Sequence, residues 1–115
     1  FMGVVYFKLG KRREARRHYY DSLQMAQDVG VDWAAITTLV DLAELELSYG
    51  RMEQAAKLLT FAVQHQAIEA VTLEKAQNLL DEVKAELPHG QVVGMETAVA
   101  DQTLAEIISQ LTAGG

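Results

Sequence analysis

The chain contains no cysteine. That excludes disulfides, thiolate metal sites and cysteine nucleophiles, and it suits a reducing cytoplasm. No apolar run approaches the roughly 20 residues needed to span a bilayer, and no secretory leader is visible. A cytoplasmic location without membrane association is expected. Pro88 is the single proline. No strand-like alternation of useful length occurs, and no low-complexity segment. A GxxxxGK[ST] loop is absent, so the chain cannot itself be a P-loop ATPase, and no helix-turn-helix is recognisable. His18, His65 and His89 stand apart from one another, with no HxxxH or HExxH spacing. No metal or other cofactor is therefore expected. Asp41, Glu44 and Glu46 lie close together, but no base or nucleophile gives them a role. Catalytic residues are not assigned, and an enzyme is not expected.

Positive charge is also scarce, except in one place. The net charge is −6 over 115 residues. Residues 1–20 nevertheless carry six basic side chains against one acidic. The remainder carries four basic against fifteen acidic. The acidic bulk argues against nucleic acid as a partner. The chain is one domain's worth in length, long enough for a real core.

What is present is helical periodicity punctuated by glycine. Residues 1–9 read as the second half of a helix stopped by Gly10. Residues 11–29 carry a stripe of Ala15, Tyr19, Ser22, Leu23 and Ala26, ending at Gly30. Asp32 is placed to cap a helix running to about Tyr49. Its apolar residues cover more than one face, which predicts packing on two sides. Helices are expected over 51–66 and 69–87, followed by punctuation at Pro88-His89-Gly90. A short helix is expected within 91–100. Thr103 to Glu106 fits a capping box that opens a last helix. The fold class is all-α: an antiparallel array of helical hairpins, about five or six helices by the segment pattern.

Two of these segments repeat. Gly10 and Gly50 are 40 residues apart, and each is followed five residues later by alanine, Ala15 and Ala55. Such periodicity marks a stacked helical array. Each alanine lies about one turn into the second helix of its hairpin, where the two helices approach closely. A leucine at Ala55 is expected to cost about 1–3 kcal/mol by overpacking.

These residues resemble the tetratricopeptide repeat. Gly3, Tyr6, Gly10, Ala15 and Tyr19 follow that family's order in the first unit. Leu39, Leu42, Ala43, Gly50, Ala55, Leu59 and Ala62 follow it in the second. Glu46 departs, because an aromatic is expected there, and a shift of the buried face toward Leu47 is one way to absorb it. The longer unit is similar to the sensor arrays of large bacterial signal-transduction ATPases and LuxR-type transcription regulators. The resemblance implies repeats over 1–87, forming a right-handed superhelix, with short helices over 88–115 capping it. It also implies a non-catalytic interaction or sensing module, the C-terminal fragment of a larger bacterial regulator. The alternative is a sensor domain holding a small inducer in the concave groove.

The partner is expected to be a protein, either another domain of the parent chain or a separate molecule. Arg12, Arg13, Arg16 and Arg17 fall on one helix side and could meet an acidic partner. Tyr20 and Trp33 are off the main stripe or near a helix start, where aromatics can anchor an interface. The concave side of helices 1–9 and 31–49 is the other expected contact surface. Met2, Val5 and Phe7 would be uncovered if the first helix is truncated, and a homodimer through that face is expected.

Overall fold

A computed structural model describes the backbone of residues 12–113, and their side chains except those of Arg12, Thr112 and Ala113. The expectations for residues 1–11, including the first helix, Gly10 and the dimer face at Met2, Val5 and Phe7, lie outside the described residues.

Six helices follow one another: α1 (Arg12–Val29), α2 (Asp32–Ser48), α3 (Met52–Gln64), α4 (Ala70–Lys84), α5 (His89–Ala100) and α6 (Leu104–Ala113). No strand occurs among the described residues. The first two connections are built alike. Gly30 and Gly50 adopt φ of +81° and +76°, a conformation that costs other L-residues about 1–2 kcal/mol. At each, the amide of the next residue reaches back five positions: Val31 to Ala26 at 2.9 Å, and Arg51 to Glu46 at 3.0 Å. These bonds satisfy carbonyls that the helix end would leave bare. The reversal is tight, so α1, α2 and α3 run antiparallel side by side.

Helix ends differ from expectation in small ways. Asp32 is the first residue of α2, with Val31 before it, and no side chain caps the helix start. The aspartate instead places negative charge in the first turn, where the helix dipole favours it. Helix α3 stops at Gln64, because His65 turns extended and its Nδ1 accepts from the Ala67 amide at 3.0 Å. Helix α4 stops at Lys84, three residues early, and Leu87 is carried onto the core by the turn that follows. The 91–100 segment is helical from His89. Pro88 precedes it and supplies the carbonyl for its first bonds. The capping box forms as expected: Thr103 N–H donates to Glu106 at 3.0 Å, and Glu106 N–H to the Thr103 hydroxyl at 3.2 Å.

Helix α2 is the centre of the core. It buries Ile36, Leu39, Val40, Leu42, Ala43 and Leu45 on more than one side, matching its broad apolar surface. Helix α1 contributes Ala15, Tyr19 and Leu23, and α3 contributes Ala55, Leu58 and Leu59. Helix α4 packs against α3 and touches α2, α5 packs on α3, and α6 returns to touch α1. Val99, Ile107, Ile108 and Leu111 thereby join the same hydrophobic cluster as Ala15 and Leu23.

Ala15 and Ala55 are both fully buried, as close approach requires. Ala55→Leu should lower the stability measured by urea unfolding by about 1–3 kcal/mol. An unchanged midpoint would mean the helices are not in close contact there.

Lys75 on α4 bridges to α2, with Nζ 2.9 Å from Asp41 and 3.3 Å from Glu44. Burial disfavours its charge, but the Asp41 hydrogen bond and the two carboxylates outweigh that, and its pKa lies above the ordinary lysine value. Burial also pushes the Tyr19 phenol up, helped by the nearby charges of Asp41 and Glu44. Both groups hold their protons more tightly folded than unfolded. The stability they add is complete below about pH 10 and is lost as pH rises through their folded pKa values. Circular-dichroism melts should show a midpoint falling above about pH 10, and Lys75→Met should blunt the fall. A midpoint level through that range would contradict the assignment.

Candidate functional site: a cleft beneath the basic helix

Helix α1 places its arginines in two environments. Arg13 and Arg17 are exposed and form no ion pair among the described residues. Arg16 is different. It is half-buried and turned toward the last turn of α2, not lying on the solvated side with its neighbours. Its Nε donates to the Tyr20 hydroxyl at 2.8 Å, one turn along, and its guanidinium lies 5.3 Å from the centre of the Tyr20 ring. Its terminal nitrogen is 3.6 Å from Glu46. The Arg12 side chain lies outside the described residues.

Glu46 is the buried member of this group, with 2% of its side chain exposed. The second cation that reaches it is Arg51, in the tight turn between α2 and α3, at 3.3 Å. The Arg51 guanidinium also rests over the Tyr49 ring at 5.0 Å. Both arginines are thus held by a carboxylate on one side and an aromatic face on the other. For Arg16, burial works against the charge, but the Tyr20 hydrogen bond and the carboxylate more than offset it, leaving its pKa above the ordinary value.

The departure at Glu46 therefore has a physical resolution. The buried face does not move to Leu47, which stays half-buried while Glu46 is fully enclosed. The position keeps its inward direction, and two arginines neutralise what the missing aromatic would have filled. Neither arginine signals this in sequence: Arg16 belongs to a run of basic residues, and Arg51 is isolated from other basic residues.

An open cleft of about 720 Å³ lies over this cluster. Arg16, Tyr20, Glu46 and Arg51 line one part of it. Leu87, carried there by the turn after α4, and Leu111 and Gln110 of α6 line another. Glu53, in the first turn of α3, stands on the wall. Gln110 also accepts from Lys57 Nζ at 2.9 Å, which ties α6 to α3.

Trp33 is not part of this cleft. It lies at the far end of α2 from Glu46, about 20 Å away along the helix at 1.5 Å per residue. Half of it is exposed (52%). The same end of the molecule holds an apolar groove of about 300 Å³ lined by Met25, Ala26, Val29 and Ala34. The structure therefore brings Arg16 and Tyr20 together, leaves Arg13 and Arg17 on the open side of the same helix, and sets Trp33 apart.

Asp41 and Glu44 are engaged by Lys75. No cluster of three or more His, Cys, Asp or Glu side chains able to hold a metal occurs among the described residues. No helix among them is long and apolar enough to cross a membrane.

Comparison with known proteins gives a family match. The family model for the tetratricopeptide repeat covers residues 1–66, more than half of the chain. No similar curated protein and no similar solved structure was found.

Proposed function

The chain belongs to the tetratricopeptide-repeat family, and from that premise we propose that it is a non-catalytic docking module whose basic helix α1 receives an acidic protein partner. Stacked helical repeats present surfaces to other molecules. The observation that carries the reading is the cluster of arginines at the start of α1 in an otherwise acidic chain. Arg13 and Arg17 stand exposed on that helix. Arginine near a helix start is opposed by the helix dipole, so its accumulation there has a local cost that docking of an anionic surface would offset. The setting we favour is a larger bacterial signalling or transcription regulator, in which this array reads or restrains a neighbouring domain. The longer unit and the sequence of the second repeat support that setting by resemblance.

Affinity capture with the wild type and with Arg13→Glu/Arg17→Glu tests the docking face. Neither arginine forms an ion pair among the described residues, so the variant should melt at the wild-type temperature. The acidic proteins recovered by the wild type should be lost. Recovery of the same proteins by the variant would reject the basic face. The setting is tested by the domain content of the full reading frame: a nucleotide-binding domain upstream supports it, and a secretion or assembly domain rejects it.

A further inference from the structure

Lysine and arginine are absent from residues 18–50 and again from 58–74. These stretches meet at one end of the molecule, around the turn at Gly30. The close of α1 and the start of α2 flank that turn. Helix α4 begins at the same end, since the Thr72 hydroxyl lies 3.4 Å from that of Thr37, just over one turn into α2.

This end is apolar as well. Seven large apolar side chains are exposed among the described residues, and Met25, Val29, Trp33 and Val71 are four of them. Met25 and Val29 edge the groove of about 300 Å³, which also takes in Ala26, Val31 and Ala34. The exposed charges here are of one sign: Asp28, Asp32 and Glu69. Lys75, the first base along α4, is engaged by Asp41 and Glu44. An apolar surface so concentrated favours being covered. Pairing it with the same surface of another molecule would bring the carboxylates of both together, which opposes a symmetric contact. A fitting surface brings cations beside apolar side chains.

The chain carries such a surface at its opposite end. Residues 8–17 hold Lys8, Lys11, Arg12, Arg13, Arg16 and Arg17 against Glu14. Arg13 and Arg17 are exposed, with no ion pair among the described residues. Because Arg16 reaches Glu46, the start of α1 lies beside the Gly50 turn, where Tyr49 and Met52 are two more of the seven exposed apolar side chains. Within one molecule the two surfaces cannot meet. Arg13 and Arg17 lie about 22 and 16 Å along α1 from Asp28.

We propose that copies of this chain associate head to tail, the start of α1 of one copy seating on the Gly30 end of the next. Arg13 and Arg17 face Asp28 and Asp32, and Tyr49 and Met52 help to cover Met25, Val29 and Trp33. Each added copy leaves one surface of either kind open, so association extends beyond a dimer. The proposal rests on the basic-face reading and supplies an acidic partner for it.

Sedimentation velocity on the purified chain tests this. The weight-average mass should rise with concentration through the micromolar range and pass that of a dimer. Added salt should lower it, because exposed charges are screened. Arg13→Glu/Arg17→Glu should weaken association about tenfold or more, and Asp28→Arg/Asp32→Arg should do the same. Mixing these two variants should restore association, since each then meets a surface of opposite charge. Val29→Glu places a charge in the apolar contact and should weaken association about thirtyfold. All these side chains are exposed in the single molecule, and circular-dichroism melts check that each variant is folded.

A chain that stays monomeric, a mass that stops at the dimer, association indifferent to both double variants, or a mixture that stays dissociated would each overturn the proposal. The two readings fail separately. A monomeric wild type whose acidic partners are still lost on Arg13→Glu/Arg17→Glu rejects self-association and keeps the basic face. Self-association lost in that variant, with capture of other proteins undiminished, rejects a separate acidic partner and keeps the contact between copies.

Discussion

Removing both cations from Glu46 should destabilise the protein by about 3–5 kcal/mol, as for a buried ion pair that loses one side. The variant is Arg16→Met/Arg51→Met. Glu46 lies in the last turn of α2, where the helix dipole already disfavours a negative charge. Its side chain is 2% exposed, so water cannot replace the lost partners. Either single substitution leaves one guanidinium in place. Because both arginines are partly exposed, each single loss should cost only about 1 kcal/mol, the upper range for solvent-accessible pairs. The loss in the double variant should therefore exceed the sum of the two single losses. Adding Glu46→Leu should restore much of the loss, since an apolar side chain of similar size can replace a buried charge at little cost. Urea unfolding of the wild type and the four variants measures the coupling. Additive singles, or no recovery on adding Glu46→Leu, would show that the carboxylate is not held by these two arginines.

This cluster also marks where sequence reasoning stops. The turns at Gly30 and Gly50 are legible because their positive φ nearly demands glycine. The capping box at Thr103 is legible because both of its bonds are local. The helix stripes are legible because burial repeats with the helical period. Helix ends are less so: whether Asp32 caps or begins α2 depends on a single backbone angle, and Leu87 reaches the core from a turn as readily as from a helix. Glu46 is legible only as an irregularity. Its partners lie 30 residues before it and five after, and only the antiparallel packing of α1 on α2 brings Arg16 to it. The cleft is less legible still. Leu87, Gln110 and Leu111 join it because α6 returns to α1, and no local pattern announces that return.

Leu59→Ala should cost about 2–5 kcal/mol, the range for removing a buried leucine and leaving part of its volume empty. Leu59 is fully buried on α3, one turn beyond Ala55. That helix packs against α2 on one side and against α4 and α5 on the others. With neighbours on several sides, no single helix can slide in to fill the gap, which places the cost above that of a leucine at the edge. Leu104 provides the contrast. It is only partly buried, at the start of the last helix, and Leu104→Ala should cost less than about 2 kcal/mol, since part of its surface is already wet. Urea midpoints of the two variants test this. Equal stability losses at the two sites would mean that Leu59 is no more tightly enclosed than Leu104.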